Sequence, residues 1–153
     1  MPPAPTTMEQ EAAWYEAQRA DEVRFTVYER AGWRPLGTTA LHGIDGRNRT
    51  AVFGILIGEA AARGQGFGTE ATRLTLDYAF AALGLHSVML TVAGFNLAGQ
   101  RAYEKAGFKE FGRRRQCRLL GSRLWDDVYM DCLASEFVST VLGRVFAPDE
   151  PGR

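Results

Sequence analysis

The stretch of this sequence best suited to chemistry is rich in glycine and lies between an apolar run and an amphipathic one. Glycines at alternate positions let the backbone turn tightly and expose N–H groups that no side chain screens. At the start of a helix those N–H groups also carry the partial positive charge of the helix dipole, which favours bound phosphate. The spacing therefore favours a diphosphate cradle, with an arginine as a charged donor. A flexible glycine loop that caps the helix at Thr69 is the alternative. The residues of the stretch are Arg63, Gly64, Gln65, Gly66, Phe67, Gly68 and Thr69.

Two common nucleotide-binding motifs match this stretch incompletely. The dinucleotide fingerprint G-x-G-x-x-G/A is compatible with the spacing from Gly66 to Ala71. However, antiparallel strands are predicted before it, and no acidic residue ends the next predicted strand at 87–93. A P-loop requires Gly-Lys followed by Ser or Thr, which the stretch lacks. The class of phosphate ligand stays open at this point.

A second pattern places three useful residues on one face of a predicted helix. Asn96, Gly99 and Tyr103 lie at positions i, i+3 and i+7, and 3.6 residues per turn bring them into one row. That row offers an amide, a gap where a ligand could approach, and a phenol. The alternative is that Tyr103 is an amphipathic core aromatic and Gly99 only a weak point of the helix.

A regular succession of predicted helices and strands positions these residues. β-branched and aromatic runs indicate strands, and apolar residues at i, i+3, i+4 and i+7 indicate helices. The order α-β-β-β-α-β-α-β-β, followed by a tail, defines a mixed α/β (α+β) fold. We expect a flexible lead-in at 1–7, a single domain at 8–137 and a C-terminal tail at 138–153. The predicted helices are 9–20, 68–83, 96–106 and, in the tail, 135–145, and the predicted strands are 23–28, 36–42, 50–58, 87–93, 108–119 and 123–133.

Composition narrows the class of protein. The chain has 153 residues, of which 46% are hydrophobic and 24% charged, the usual balance of one globular domain. Eighteen basic and eighteen acidic residues give no net charge, so binding to nucleic acid or to an anionic membrane would need a local patch. The sequence has no apolar run of membrane-spanning length and no visible secretory signal, and its two cysteines lack metal-site spacing. We expect a cytoplasmic protein without a metal, a nucleic-acid partner or a membrane.

The glycine-rich stretch resembles the acyl-coenzyme A loop of the GNAT superfamily of N-acetyltransferases. The pattern Arg63-x-x-Gly66-x-Gly68 follows an apolar strand, as in that family. The register is similar to the branch that contains ribosomal-protein N-terminal alanine acetyltransferases and spermidine acetyltransferases. The resemblance covers roughly residues 7–137 and implies a mainly antiparallel sheet with one splayed parallel strand pair. Beyond the loop, the similar segments are 69–92, 95–108 and 126–137.

The resemblance also implies an activity. In this family acetyl passes from acetyl-CoA to a primary amine by direct attack in a ternary complex, and the acceptor is a protein N-terminus, a polyamine or a small amine. By this likeness Asn96 contacts the pantetheine arm and Tyr103 protonates the departing thiolate, for which a phenol with a pKa near 10 is suited. The exposed backbone of Leu56, Ile57 and Gly58 pairs with pantetheine and polarises the thioester carbonyl.

The remaining charged candidates have less specific support. Lys105 is interpreted as a contact for a coenzyme phosphate or as a solvated helix charge. Glu59, directly after a predicted strand, is the first candidate for the base that removes the proton of the amine. His42 and Asp45 are runners-up, and water chains can do this in the family. Asp127 is a weaker candidate that would contact the acceptor.

The N-terminus departs from the family pattern. Members of this branch begin with a strand and a helix, on the order of 40 residues, that this sequence does not match. A truncated gene model, a short form, and replacement by a partner subunit or by the tail are the alternatives. We expect a homodimer from the family, and a weak or inactive acyl-CoA-binding module is the alternative function.

A dense arginine cluster is interpreted as a solvated strand face or a dimer edge rather than an RNA site. Its members are Arg113, Arg114, Arg115, Arg118 and Arg123.

Overall fold

The computed structural model describes residues 7–16 and 20–146. The expected lead-in at 1–7 therefore lies almost wholly outside the described residues. A π-helical segment, Tyr78–Ala82, continues the second helix, and 3₁₀ turns lie at Ala60–Ala62 and Ala134–Glu136. In the described ranges, no helix has both the length and the apolar character needed to cross a membrane. The elements are α1 (Met8–Glu16), β1 (Val23–Glu29), β2 (Arg34–Asp45), β3 (Thr50–Ile57), α2 (Phe67–Asp77), β4 (Ser87–Ala93), α3 (Leu97–Ala106), β5 (Lys109–Leu120), β6 (Arg123–Leu133) and α4 (Leu142–Val145).

The six strands form one sheet in the order β1-β2-β3-β4-β6-β5. The first three strands make an antiparallel meander, and β4, β6 and β5 make a second antiparallel group. The two groups meet at β3 and β4, which run parallel because α2 carries the chain back between them. This mixed, mainly antiparallel sheet with flanking helices confirms the predicted fold class.

The parallel pair is joined over only part of its length. Beyond Val52 and Met89, β3 continues to Ile57 beside β2, and β4 continues to Ala93 beside β6. The two strands therefore separate toward their C-terminal ends, and we call the space between 53–57 and 90–93 the β3–β4 cleft. Their paired residues are Thr50 with Ser87, Ala51 with Val88, and Val52 with Met89.

An apolar core lies between one face of the sheet and the helices α2 and α3. Val88, Leu90 and Val92 alternate along β4 and are at most 5% exposed, as the two-residue period of a strand requires. Leu76 of α2 and Phe108, just after α3, are buried in the same cluster. This packing holds both helices against that face of the sheet.

The tail differs from its prediction. A helix over 135–145 is wrong, because the chain forms a 3₁₀ turn at Ala134–Glu136, then an extended stretch, and only then the short α4. The backbone N–H groups of Val141 and Leu142 donate to the buried carboxylate of Asp77, each at 3.0 Å. Since this long-range contact fixes where α4 begins, local helix propensity does not decide the conformation of the tail.

Candidate active site

The glycine-rich loop has an open, left-handed backbone at the start of α2. Gly64 has φ +74° and Gly66 has φ +88°, values that side chains other than glycine rarely tolerate. A Cβ built on Gly64, Gly66 or Gly68 would meet no atom within 4 Å, so the loop faces open space. Because first-turn N–H groups lack acceptors within a helix, the N–H groups at 67–69 are available to an anion. The helix begins at Phe67 after Gly66, so the alternative of a cap at Thr69 is wrong.

The long side chains of the loop turn back toward β3. Nε and Nη2 of Arg63 donate to the carbonyl oxygen of Ile57, at 3.3 and 3.2 Å. Gln65 donates to the carbonyl oxygen of Ala61. Arg63 therefore lies at the mouth of the cleft, and a phosphate contact would use its remaining N–H groups.

A cavity of about 480 Å³ lies at the start of α2. It brings Gly66 and Thr69 together with Lys105 of α3, which places that lysine beside the predicted cradle. The cavity also includes Arg73, a second cation, and Glu70, one carboxylate. Arg73 was missed by the sequence reasoning, although its position four residues after Thr69 puts it on the same helix face.

The C-terminal half of β3 exposes backbone along the cleft. Leu56 is 66% exposed, and Gly58 is exposed just beyond the strand. Leu56 and Ile57 pair with Thr38 and Gly37 of β2, on the side away from β4. A strand edge that has parted from its neighbour can pair with an extended ligand through its N–H and C=O groups. The predicted pantetheine-binding segment thus lies where the geometry allows such pairing.

Tyr103 lies over the point where the cleft opens. Its ring packs edge-on against Phe53 at 6.3 Å between centroids, and Phe53 follows the last paired residue of β3. A second edge-on contact, at 6.1 Å, joins it to Phe108. Burial raises the pKa of Tyr103 above its ordinary value of 10.0, so the phenol is protonated at neutral pH. As predicted, Gly107 ends α3 in a left-handed conformation and Phe108 is buried after it.

Asn96 begins the helix that carries Tyr103. Its side-chain oxygen accepts a hydrogen bond from the N–H of Gly99 at 2.9 Å, a standard N-cap. A Cβ on Gly99 would lie 2.6 Å from the amide nitrogen of Asn96, so the expected gap at Gly99 is wrong because the Asn96 side chain fills it. The amide nitrogen keeps its donors and is the part of Asn96 suited to a pantetheine contact.

The structure separates the candidate bases. Glu59 is exposed two residues after the end of β3 and begins the turn that leads to the glycine loop. Asp45 pairs with Thr50 at the other end of β3, about 23 Å from Ile57 at 3.3 Å per residue. Its carboxylate accepts hydrogen bonds from Asn48 and Arg47, which build a turn and lower its pKa. His42 lies opposite Val52, some 17 Å from Ile57 by the same count. Asp45 is thus distant from the whole cleft. His42 is distant only from its mouth, since its ring lies 3.5 Å from where a Cβ on Gly54 would be, near the end of the cleft where Tyr103 packs on Phe53.

Asp127 lies beside the end of β4 but is already paired. It is opposite Ala93 in the sheet, and Arg118 donates to it from Nε at 2.7 Å and from Nη2 at 3.2 Å. This guanidinium holds the pKa of Asp127 below its usual range. A carboxylate stabilised in that way is a poor acceptor of a proton.

The fold class is defined by the parallel strand pair that separates, the glycine-lined start of α2, and Tyr103 near the point where the strands part. A family model described as "Acetyltransferase (GNAT) domain" matches residues 1–109. The chain belongs to the GNAT acetyltransferase family.

Several relatives are similar over much of the chain. "Probable N-acetyltransferase YjcK" of Bacillus subtilis is 36% identical over 112 residues, which is 72% of this chain and 60% of that protein. "Putative ribosomal N-acetyltransferase YdaF" of the same organism is 33% identical over 101 residues, 66% of this chain and 55% of that protein. The chain thus spans less than two thirds of the length of these curated relatives. A solved spermidine N-acetyltransferase of Vibrio cholerae, in complex with CoA and spermine, has a TM-score of 0.78 and 28% identity, covering 86% of this chain and 78% of that one.

Proposed function

We propose that the protein transfers acetyl from acetyl-CoA to a primary amine by direct attack within a ternary complex. The observation that carries this proposal is the position of Tyr103, whose ring lies against Phe53 where β3 and β4 part. A phenol at this position is well placed to protonate the sulfur of a thioester bound in the cleft, while the glycine loop before α2 binds the phosphates. The residues present fit such a ligand, because a Cβ at any of the three loop glycines would face open space.

Each part of the site has a distinct task. The N–H groups at 67–69 bind the diphosphate, and Lys105 and Arg73 add charge in the adjoining cavity. Backbone N–H groups at the end of β3 orient the thioester and stabilise charge on its carbonyl oxygen, by roughly 3 kcal/mol for a well-placed donor. When bound, acetyl-CoA supplies the activated acetyl group.

Tyr103 completes the transfer as a general acid. As the amine nitrogen bonds to the acetyl carbon and the carbon–sulfur bond breaks, the phenol gives its proton to the sulfur. The proton that the nitrogen loses passes to Glu59 or to water, and the phenolate then regains a proton from solvent. Glu59 is the first candidate because it is exposed after β3. His42 is the alternative, because it lies opposite Val52, next to the phenylalanine against which Tyr103 packs.

The acceptor is proposed only as a class. The names of the relatives include a ribosomal N-acetyltransferase and a spermidine N-acetyltransferase, so protein N-termini and polyamines are the first amines to test. A cytoplasmic location and a homodimer stay predictions.

The test has a binding arm and a turnover arm. Acetyl-CoA at about 100 times its dissociation constant should stabilise the fold by roughly 2.7 kcal/mol, which a thermal melt detects. Free thiol should then appear with spermidine, with a peptide that has a free N-terminus, or with a small amine. Stabilisation without thiol release on any amine would favour the alternative, a weak or inactive acyl-CoA-binding module. No stabilisation would overturn both.

A further inference from the structure

A buried carboxylate at the end of α2 has no part in the site described above. Asp77 is 1% exposed, and it lies where α2 passes into the π-helical segment that continues the helix. Burial alone would raise the pKa of Asp77, yet hydrogen bonds from Ser139 and from the backbone of Leu142 and Val141 lower it below its ordinary value. A buried charge that is satisfied in this way marks a specific contact, because an unpaired one would be costly.

That contact holds the tail. The Ser139 hydroxyl donates to Asp77 at 2.5 Å, and the N–H groups of Val141 and Leu142 donate to its other oxygen. Ser139 also accepts a hydrogen bond from Gly143 at 2.7 Å, which closes the turn before α4. We call residues 138–146 the strap.

The strap is otherwise lightly attached. Val138, Val145 and Phe146 are 73%, 65% and 56% exposed. The Phe137 ring, just before the strap, packs on Phe80 at 5.3 Å between centroids. Leu142 is half-buried, and the other residues of the strap are exposed. A segment with few buried apolar contacts opens at low free energy, so the Asp77 carboxylate and Leu142 are the main restraints on its position.

The strap helps to line the cavity at the start of α2. Thr140 and Val141 lie in the same cavity as Gly66, Thr69 and the cations Arg73 and Lys105. Asp77 lies four residues after Arg73, one turn further along α2. The same helix therefore contacts the strap through Asp77 and provides the proposed phosphate site at its start. Tyr103 does not line this cavity, so we expect displacement of the strap to affect the phosphate-binding end of the site and not the phenol.

We infer that Asp77 is a positioning residue that holds the strap as a wall of the cavity for the phosphate-bearing end of the coenzyme. This inference rests on the proposed function. We expect the strap to slow dissociation of the nucleotide end of acetyl-CoA. It should have no effect on the binding of a thioester donor that lacks this end. The predicted signature is a change in KM for acetyl-CoA at constant kcat.

The experiment compares Asp77→Ala, the milder Ser139→Ala and the control Val138→Ala, with acetyl-CoA and with S-acetyl-pantetheine as donors. Loss of hydrogen bonds to a buried charge should raise KM for acetyl-CoA about tenfold in Asp77→Ala and about threefold in Ser139→Ala. The kcat should stay within a factor of about two, and kcat/KM for S-acetyl-pantetheine should not change. The control should behave as the wild type.

A second measurement follows the strap itself. Tryptic cleavage after Arg144, followed by mass spectrometry, should be faster in both variants than in the wild type, and CoA should slow it in the wild type. Ser139→Ala keeps the inference testable if Asp77→Ala does not fold. Equal KM values in a folded variant, or equal losses with both donors, would overturn the role of Asp77. If the wild type shows no turnover, the proposed function fails, but the role of the strap can still be tested. The dissociation constant of CoA and the rate of tryptic cleavage are then compared between the wild type and the variants.

Discussion

At the scale of single residues, the role of Tyr103 makes the sharpest prediction. Tyr103→Phe keeps the ring contacts with Phe53 and Phe108 and removes only the hydroxyl. We expect kcat to fall by about 10²–10⁴, with little change in KM for acetyl-CoA. Steady-state kinetics measure both constants. Tyr129→Phe is a matched control, since that tyrosine packs on Phe111 of β5 instead.

The pH profile checks the same residue. Burial raises the pKa of Tyr103 above 10.0, so the protonated form predominates up to that pH and is lost as the pH rises through the shifted pKa. The kcat of the wild type should therefore not fall between neutral pH and about pH 9.5 through loss of this proton. An unchanged kcat in Tyr103→Phe, or an alkaline fall near neutral pH that Tyr103→Phe abolishes, would contradict the assignment.

The two cysteines should differ in reactivity. Cys132 is fully buried, and burial raises its pKa from 9.0 to about 11, whereas Cys117 is only half-buried on β5. Because the thiolate is the reactive form, a disulfide reagent at pH 8 should label one thiol quickly and the second only after denaturation. Cys117→Ser should remove the fast phase. Two fast thiols in the native protein would show that the core around Cys132 opens readily.

Local sequence determines some site residues and not others. The glycine end of α3 and the tight glycine loop before α2 are set by residues within one turn of one another, so their spacing predicts them. The N-cap at Asn96 was not predicted, because the predicted helix already includes this residue. Asp77 was not predicted because its partner Ser139 lies 62 residues away, and no local pattern reports such a contact. The register of β2 with β3 places Asp45 at the far end of β3 and His42 opposite Val52, and no local pattern in the sequence reports that register.

At the scale of elements, the cleft depends on how closely β2 approaches β3. A Cβ on Gly37 would lie 1.9 Å from the carbonyl oxygen of Leu56, and Gly37 is opposite Ile57, at the separated end of β3. We expect Gly37→Ala to push this end of β3 aside and to destabilise the fold by about 1–3 kcal/mol. Denaturant unfolding measures the loss. KM for acetyl-CoA should also rise, because the displaced segment is the one proposed to pair with pantetheine.

Gly112→Ala is the matched control for this change. Gly112 lies in β5, and an added Cβ there would meet no atom within 4 Å. It should leave both stability and KM close to the wild-type values. If Gly37→Ala is equally harmless, β2 and β3 can relax apart and the close approach does not shape the cleft.

The elements themselves were largely predictable from sequence, for a physical reason. Strands β3 and β4 are apolar and β-branched, and α2 and α3 have a clear apolar face, so local preference and burial agree. The extent of the β3–β4 pairing was not predictable from these patterns alone, since separation beyond Val52 and Met89 depends on packing across the sheet. For the tail, local helix preference conflicts with the contact to Asp77, and the contact prevails.

At the scale of the whole molecule, the outer strand β1 borders an apolar groove. This groove, about 580 Å³, lies between β1 and α2 and includes Phe25, Val27 and Tyr78. Tyr28 and Trp33 nearby are 50% and 75% exposed. An exposed apolar surface of this kind beside an outer strand favours association, which agrees with the homodimer expected from the family.

We therefore expect a dimer, twice the 16.9 kDa of one chain, by light scattering after gel filtration. Val27→Lys should shift the equilibrium to monomer, because a second copy would bury the ammonium group, whereas in the monomer the open groove leaves it in water. Val145→Lys is the control, since that valine is 65% exposed on the strap and does not line the groove. A wild type that stays monomeric, or a dimer that Val27→Lys does not weaken, would show that the chain does not associate through this groove. In that case a second copy of the chain would not cover the exposed surface beside β1. The groove would then be open to solvent when acceptor amines are tested.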